Sequence, residues 1–368
     1  VWTGRDRTDG LPAFRRAVAW ACRRARAWRA ARVLVLGGCL VATMGFAQAE
    51  PDSRAPRPPR GVLEMTGDIG DFVPGEVDDP VHDPAIVKDR NTYYVFSTGI
   101  LRDPEDPGGI FVRRSPELGG PWESMGEIAV PEWVHEYEPN HLWAPQVVRR
   151  AGRYYLYYAV SSFGSNTSAI GVASTRDPGD LDSWVDHGPV VTSREGDDFN
   201  AIDPHVFRAE GTWWMAFGSH WSGIKLQELA SMTEPVGPLH ALADRGVPPN
   251  AIEAPTIFRR GRYYYLLTSW DQCCSGTDST YKIAVGRSTS VTGPYVDRDG
   301  TALMDGGGTV ILESEGNQIG PGGQDVHVEF GIHYLIHHYY DADADGVIRM
   351  QIRSMDWADG WPVVATME

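Results

Sequence analysis

NAIDPHVF at Asn200–Phe207 and NAIEAPTIF at Asn250–Phe258 read almost alike, each setting one carboxylate, Asp203 or Glu253, just ahead of a proline. A third stretch, VHDPAIV at Val81–Val87, sets Asp83 in the same way. Working outward from these, each proline is followed by a short apolar run, then a polar turn, then an aromatic run such as TYYVFS or TWWMAF. The same order follows Pro145, without an acid. The aromatic pairs begin at Tyr93, Tyr154, Trp213 and Tyr263, nine, nine, nine and eight residues after Pro84, Pro145, Pro204 and Pro255. Each unit therefore reads strand, tight turn, strand. A third strand follows in most units: GIFVRRS, AIGVASTR and YKIAVGRS. A last, degenerate unit reads DVHVEF, GIHYLIHHYY, VIRMQIRS. Only LQELASM (Leu226–Met232) suggests a helix, of one or two turns.

Five such units between Val81 and Ser354, with the first four prolines 61, 59 and 51 residues apart, predict an all-β, five-bladed β-propeller, which closes radially and hides its strand edges. An antiparallel sandwich would explain the strands, but not why a carboxylate recurs at one repeat position. In a propeller, the matching positions of the innermost strands converge on the axis. The three acids then meet in one central pocket.

The formal net charge is -16. Nine basic and two acidic residues precede Glu50, leaving 24 basic against 47 acidic residues in the rest. A body so acidic repels phosphate backbones, which argues against a nucleic-acid partner. The N-terminal region runs from RRARAWRAAR through the apolar Val33–Phe46 to AQA at 47–49, the order of a secretory signal. The expected organisation is a signal region at 1–49, a proline-rich linker at 50–70 and a catalytic propeller at 71–368. The mature chain is expected to be secreted, monomeric and not stably inserted in a membrane. Without the signal, only the adjacent Cys273 and Cys274 remain of four cysteines, which makes no disulfide framework. Vicinal disulfide and packed thiols both remain open.

Paired carboxylates flanking a sugar linkage are the usual apparatus of glycoside hydrolysis, one protonated as acid and one ionised as base or nucleophile. A neighbouring negative charge helps keep the acid protonated. Glu253, with the longer arm and an extra residue before its proline, is the candidate acid, while Asp83 and Asp203 divide the remaining roles.

The motifs HDPAI (82–86), LWAP (142–145), FGSNTSAIG (163–171), NAIDP (200–204), FGSHWSGIKL (217–226), AIEAPTIF (251–258) and CCSGTDSTYKIAVGRS (273–288) closely resemble glycoside hydrolase family 43, most of all its endo-1,5-α-L-arabinanases. The resemblance implies a propeller that cleaves α-1,5-linked arabinan with inversion, Asp83 matching the general base, Asp203 the carboxylate that tunes and orients the acid, and Glu253 the general acid. It also implies one calcium-type ion near the axis, with no organic cofactor. Here the chain departs from the pattern: GPGGQ (320–324) lacks the histidine of the usual GPGH, so Gln324, His327 or His338 would have to compensate. DADADG (341–346) copies the start of an EF-hand loop, but Ile352 stands where its glutamate belongs, so a plain turn is expected. His82, Trp143, Phe163, Asn166, Ser168 and Trp221 are the candidate substrate contacts. Two rival readings are an exo-acting arabinofuranosidase or β-xylosidase of the same family and a non-catalytic sugar-binding propeller.

Overall fold

The computed structural model describes residues 58–70 and 80–367; the expected signal region and the first part of the linker lie outside them. Five four-stranded antiparallel sheets follow one another along the chain, each built from consecutive strands. Blade one runs from β1 (Ala85–Asp89) to β4 (Glu123–Ile128), blade two from β5 (Trp143–Arg150) to β8 (Val185–Ser193), and blade three from β9 (His205–Ala209) to β12 (Glu234–Ala243). Blade four runs from β13 (Ile252–Arg260) to β16 (Thr309–Leu312), and blade five from β17 (Gln318–Glu329) to β20 (Trp361–Val364). This is the expected five-bladed propeller.

Strands inside a propeller are covered on both faces, so their sequences run apolar or small throughout. β7 (Ser168–Thr175) is buried at every residue. Apolar clusters fill each gap between blades. Phe96, Val112, Leu156 and Val160 meet between blades one and two; Tyr157, Val172, Met215 and Phe217 between two and three; Leu226, Tyr264 and Leu266 between three and four; and Leu267, Val285, Leu335 and Trp361 between four and five.

Two features differ from the sequence expectation. LQELASM is not helical: it lies largely in β11 (Ile224–Ser231), a strand whose alternation is masked by helix-favouring residues. Each blade also carries an outer fourth strand that the repeat did not reveal. Such an edge faces solvent on one side and can hold charge, glycine and proline, as VDHGPVVTS of β8 does.

Among the described residues no strand is shared between the first and last blades, so the ring needs another closure. Residues 61–69, expected to be linker, supply it. Leu63 N–H donates to Ile352 O and Met350 N–H to Ile69 O in blade five; Trp122 N–H donates to Thr66 O, and Asp68 N–H to Trp122 O, in blade one. Leu63 is buried among Tyr93, Val95, Ile336 and Ile352 from both blades, and Asp68 pairs at 3.2 Å with the fully buried Arg113.

One backbone device aims the site. Asp83, Ala144, Asp203, Ala254 and Gly323, one per blade, all have left-handed φ values, of 51°, 42°, 56°, 50° and 55°. Four of them precede a proline, where the chain normally stays extended. The kink turns either that residue's side chain or its predecessor's toward the axis. Blades one and three use the kinked residue itself; blade four uses the predecessor, Glu253. That explains the extra residue between Glu253 and its proline. Such conformations cost on the order of 1–3 kcal/mol each for a side-chain-bearing residue and mark functional positions.

Candidate active site

Asp83, Asp203 and Glu253 share one cavity of about 1370 Å³ on the axis, to which all five blades contribute. Leu101, Trp143 and Phe163 stand on one part of its rim, Trp221 and Pro249 on another, and Cys273–Gly276 with Gly346 on a third.

Asp83 is held on several sides. Thr98 Oγ1 donates to its Oδ2 at 2.7 Å and itself accepts from Ala144 N–H at 2.9 Å, joining two blades. His82 Nδ1 lies 2.7 Å from the same oxygen, and His338 Nδ1 accepts the Asp83 N–H at 3.1 Å. Burial works against the charge on Asp83, but His82, the hydrogen bonds and His338 outweigh it and bring its pKa down to about 2. Burial likewise opposes charge on His82, and the Asp83 carboxylate with Tyr340 overcomes it, lifting His82 to about 10. Near neutral pH the two therefore form an ion pair. Burial and the charge of His82 hold His338 well below its ordinary value, so it stays neutral and free to accept. Its ring stacks on His82 at 3.7 Å.

Asp203 is the opposite case. Burial first, then Glu253 and Asp83, push its pKa well above the ordinary carboxylate range, against one hydrogen bond from Ala254 N–H at 3.0 Å. Glu253 accepts from Ser219 Oγ at 2.7 Å and from Tyr281 Oη at 2.6 Å, which fixes both of its oxygens. Asp203 thus retains a proton beside Glu253 while Asp83 is ionised, so the site pairs a proton source with a base.

Among the other expected contacts, His82, Trp143, Phe163 and Trp221 line the cavity. Trp143 lies 5.0 Å from the Phe163 ring, and Phe163 is 69% exposed. Asn166 and Ser168 are corrections. Both are buried outside the cavity lining; Asn166 Nδ2 donates to the carbonyls of Asp197 and Phe199, and Ser168 Oγ to Asn200 Oδ1. They brace the loops beneath the rim. The sequence does not single out Thr98, Ser219, Tyr281 or Tyr340 as site residues, and points to His338 only as a substitute ion ligand. The available signal was the hydroxyl closing an aromatic run, in YYVFST and WWMAFGS, since the end of a second strand lies opposite the head of the first.

His82, Asp83 and His338 offer ligand atoms all within 4.8 Å of one another, a cluster able to hold a metal ion. Below it, a cavity of about 30 Å³ is lined by Asp83, Gln146, Asp203, His205, Gln324 and Asp325, room for one water-sized species. Gly323 stands where the usual pattern has histidine. A Cβ there would lie 2.2 Å from Asp83 Oδ1 and 2.7 Å from His338 Nδ1, so His338 fills the space beside Asp83. Gln324 instead ties Ser269 to the Ala254 carbonyl, and His327 lies beside Glu329. DADADG forms a turn at Ala342–Ala344, with Asp341 accepting from Asp343 N–H.

A family model described as glycosyl hydrolases family 43 matches residues 77–362. The extracellular endo-α-(1→5)-L-arabinanase 1 of Bacillus subtilis is 41% identical over 294 residues, covering 78% of this chain and 88% of the relative. The extracellular exo-α-(1→5)-L-arabinofuranosidase of Cellvibrio japonicus is 37% identical over 78% of this chain and 87% of its own. A solved endo-arabinanase from Bacillus licheniformis superposes with a TM-score of 0.72 at 42% identity, covering 82% of this chain and 99% of that one.

Proposed function

The chain belongs to glycosyl hydrolase family 43, and from that premise we infer that it cleaves internal α-1,5-L-arabinofuranosidic linkages of arabinan, with inversion at the anomeric carbon. The observation that carries the reading is the floor of the groove: an ionised Asp83 in one cavity with Glu253, aimed by Ser219 and Tyr281, and with Asp203, whose pKa is pushed upward. Asp83 takes a proton from water as its oxygen attacks the anomeric carbon. Glu253 delivers a proton to the departing glycosidic oxygen, and Asp203 orients Glu253 through the Ala254 N–H. Ser219 and Tyr281 keep the Glu253 carboxyl aimed. The chemistry needs only water and carboxyl groups, so no organic cofactor enters it.

Calcium is the ion that suits the axial cavity. Its lining is rich in oxygen donors from Asp83, Asp203, Asp325, Gln146 and Gln324, which matches a hard cation. The His82–Asp83–His338 cluster fits it less well, because His82 is already paired with Asp83. When bound, such an ion supplies positive charge beneath the gathered carboxylates.

A groove of about 1370 Å³ exceeds what one sugar fills, since roughly 300–1,000 Å³ accommodates a whole drug-sized ligand. It suits a chain lying across the acids with sugars on both sides. The enzyme acts on arabinan outside the cell, as a monomer, and its acidic body does not favour nucleic acid. Relatives of similar identity include an exo-acting enzyme, so the product pattern is the deciding test. Linear 1,5-arabinan should lose viscosity before much reducing sugar appears and give a ladder of oligosaccharides. Release of arabinose alone from the first minutes, with viscosity tracking total hydrolysis, would establish exo action instead.

A further inference from the structure

Cys273 and Cys274 are bonded to each other, in the loop between β14 (Tyr263–Trp270) and β15 (Lys282–Ser288). Both line the groove, and Cys274 is exposed there, its Sγ 4.0 Å from His82 Nε2. A disulfide between chain neighbours closes a small ring around a single peptide bond, so neither residue relaxes without the other. Cys274 sits at φ 63°, a conformation that side-chain-bearing residues rarely adopt. In that conformation its peptide N–H donates to Tyr340 Oη at 2.7 Å. Tyr340 is buried near the end of β18 (Ile332–Asp341), with its Oη 3.0 Å from His82 Nε2. The other ring nitrogen of His82 reaches Asp83 Oδ2 at 2.7 Å. Three hydrogen bonds in line thus connect the disulfide loop to the base. Thr98 and His338 hold Asp83 from its other sides, so this line supplies the one restraint on Asp83 that acts through the imidazole.

We propose that the Cys273–Cys274 disulfide is a positioning element for catalysis, fixing the Cys274 peptide so that Tyr340 and His82 hold Asp83 in register with the attacking water. The proposal rests on the reading of Asp83 as base. The ring does at the groove mouth what packing does elsewhere: it holds a strained, exposed peptide in the one conformation that meets Tyr340. With the S–S bond broken, Cys274 leaves the left-handed region and its N–H turns to solvent. Tyr340 then loses one partner, and the His82 ring loses the restraint on its far side. Such misplacement lowers turnover more than binding, because sugars still meet Trp143, Phe163 and Trp221.

The test combines a water-soluble phosphine with three variants. The phosphine gives two electrons to the S–S bond, the two sulfurs take the two protons of one water molecule, and the oxygen of that water leaves on the phosphine oxide. Reduction of the folded wild type should lower kcat on arabinan about 10-fold, with KM within about two-fold, the scale of a small misplacement at a reacting centre. The C273A/C274A protein should show the same loss and no response to phosphine, which excludes action on other cysteines. Y340F should also lose kcat, and phosphine should add nothing to it, because groups acting in one line are not additive. Hydrogen exchange at the Cys274 amide should quicken on reduction in wild type and in D83N alike, reading the restraint without turnover. Unchanged kcat in reduced, folded enzyme, or a full further loss on reducing Y340F, would overturn the proposal. Persistent arabinan hydrolysis by D83N would instead overturn the assignment of the base.

Discussion

The backbone N–H of Ala254 donates to Asp203 at 3.0 Å, so the residue beside Glu253 is tied to a carboxylate of the preceding blade. Ala254 is in the left-handed conformation that sends Glu253 toward the axis, and its bond to Asp203 secures it. The same carboxyl is one that burial, Glu253 and Asp83 push upward in pKa. Folded protein therefore binds its proton more tightly than unfolded chain does. The stability linked to it is fully present below the ordinary carboxylate value and is lost as pH rises through the raised one.

D203N should then melt higher than wild type at pH 7, by about 0.5–2 kcal/mol, the usual size of relief from a strained site. The advantage should shrink as pH falls toward 3, where the carboxyl is protonated in the unfolded wild-type chain as well. Turnover should fall, since the carboxyl group that neighbours Glu253 is gone. Thermal unfolding at a series of pH values checks the sign: a D203N melting point below that of wild type at neutral pH contradicts it.

E253Q keeps the shape of the acid and one of the two oxygens that accept from Ser219 and Tyr281, but its amide nitrogen only donates and it carries no acidic proton. Hydrolysis of arabinan should drop by about 10²–10⁴-fold. Near-normal rates in contaminant-free E253Q would remove Glu253 from the role of acid.

His82 and Asp83 predict a pH profile. Asp83 is held at about 2 chiefly against burial and by His82, so its share of stability is present above the ordinary carboxylate value and lost as pH falls through about 2. His82, lifted to about 10 against burial by Asp83, contributes stability that is complete below its ordinary value and lost as pH rises through about 10. In H82Q the carboxyl loses its main charged partner while burial remains, so it titrates higher. The acid limb of kcat/KM should move to higher pH. An acid limb unmoved by H82Q would mean that another group sets it.

Much of this was legible because the repeat carries it. The proline-to-aromatic offset located four of the five blades, and the acids at one repeat position located the axis. What the repeat does not encode stayed hidden. The partners of Asp83 and Glu253 sit on second strands and on the blade-five return, and only the closed ring brings Tyr340 beside His82. Asn166 and Ser168 misled because a Gly- and Ser-rich loop looks the same whether its polar groups face sugar or backbone. The strap at 61–69 was hidden because its few apolar residues, Leu63, Met65 and Ile69 among them, show no strand pattern and look unimportant until a seam needs filling.

The strap gives a stability prediction. Removing residues 1–70 deletes the bonds from Leu63, Asp68 and Ile69 to blades five and one, uncovers the apolar surface under Leu63 and leaves buried Arg113 without Asp68. Burial of a leucine side chain alone is worth about 1.5–3 kcal/mol, and Arg113 loses one of its ion-pair contacts besides. The truncated protein should melt several degrees lower, while its groove, on the axis, keeps its lining. A truncation that melts as wild type does would mean that the seam closes through blade packing alone.

Phe163 separates remote binding from chemistry. Its ring is 69% exposed at the rim and touches Trp143, which stands half-buried in the groove. An exposed aromatic at this place contributes nothing to the core, so its loss should leave the melting point unchanged. It can stack on a sugar beyond the scissile linkage, and contact energy made there orients the bond over Asp83 and Glu253. For F163A, kcat/KM on long linear arabinan should fall about 10-fold, the effect of roughly 1.4 kcal/mol of lost contact. On a short aryl arabinofuranoside, which does not reach the rim, the variant and wild type should agree within about two-fold. Equal losses on both substrates would place Phe163 beside the reacting sugar, and the groove would then be a pocket closed near the cleavage point.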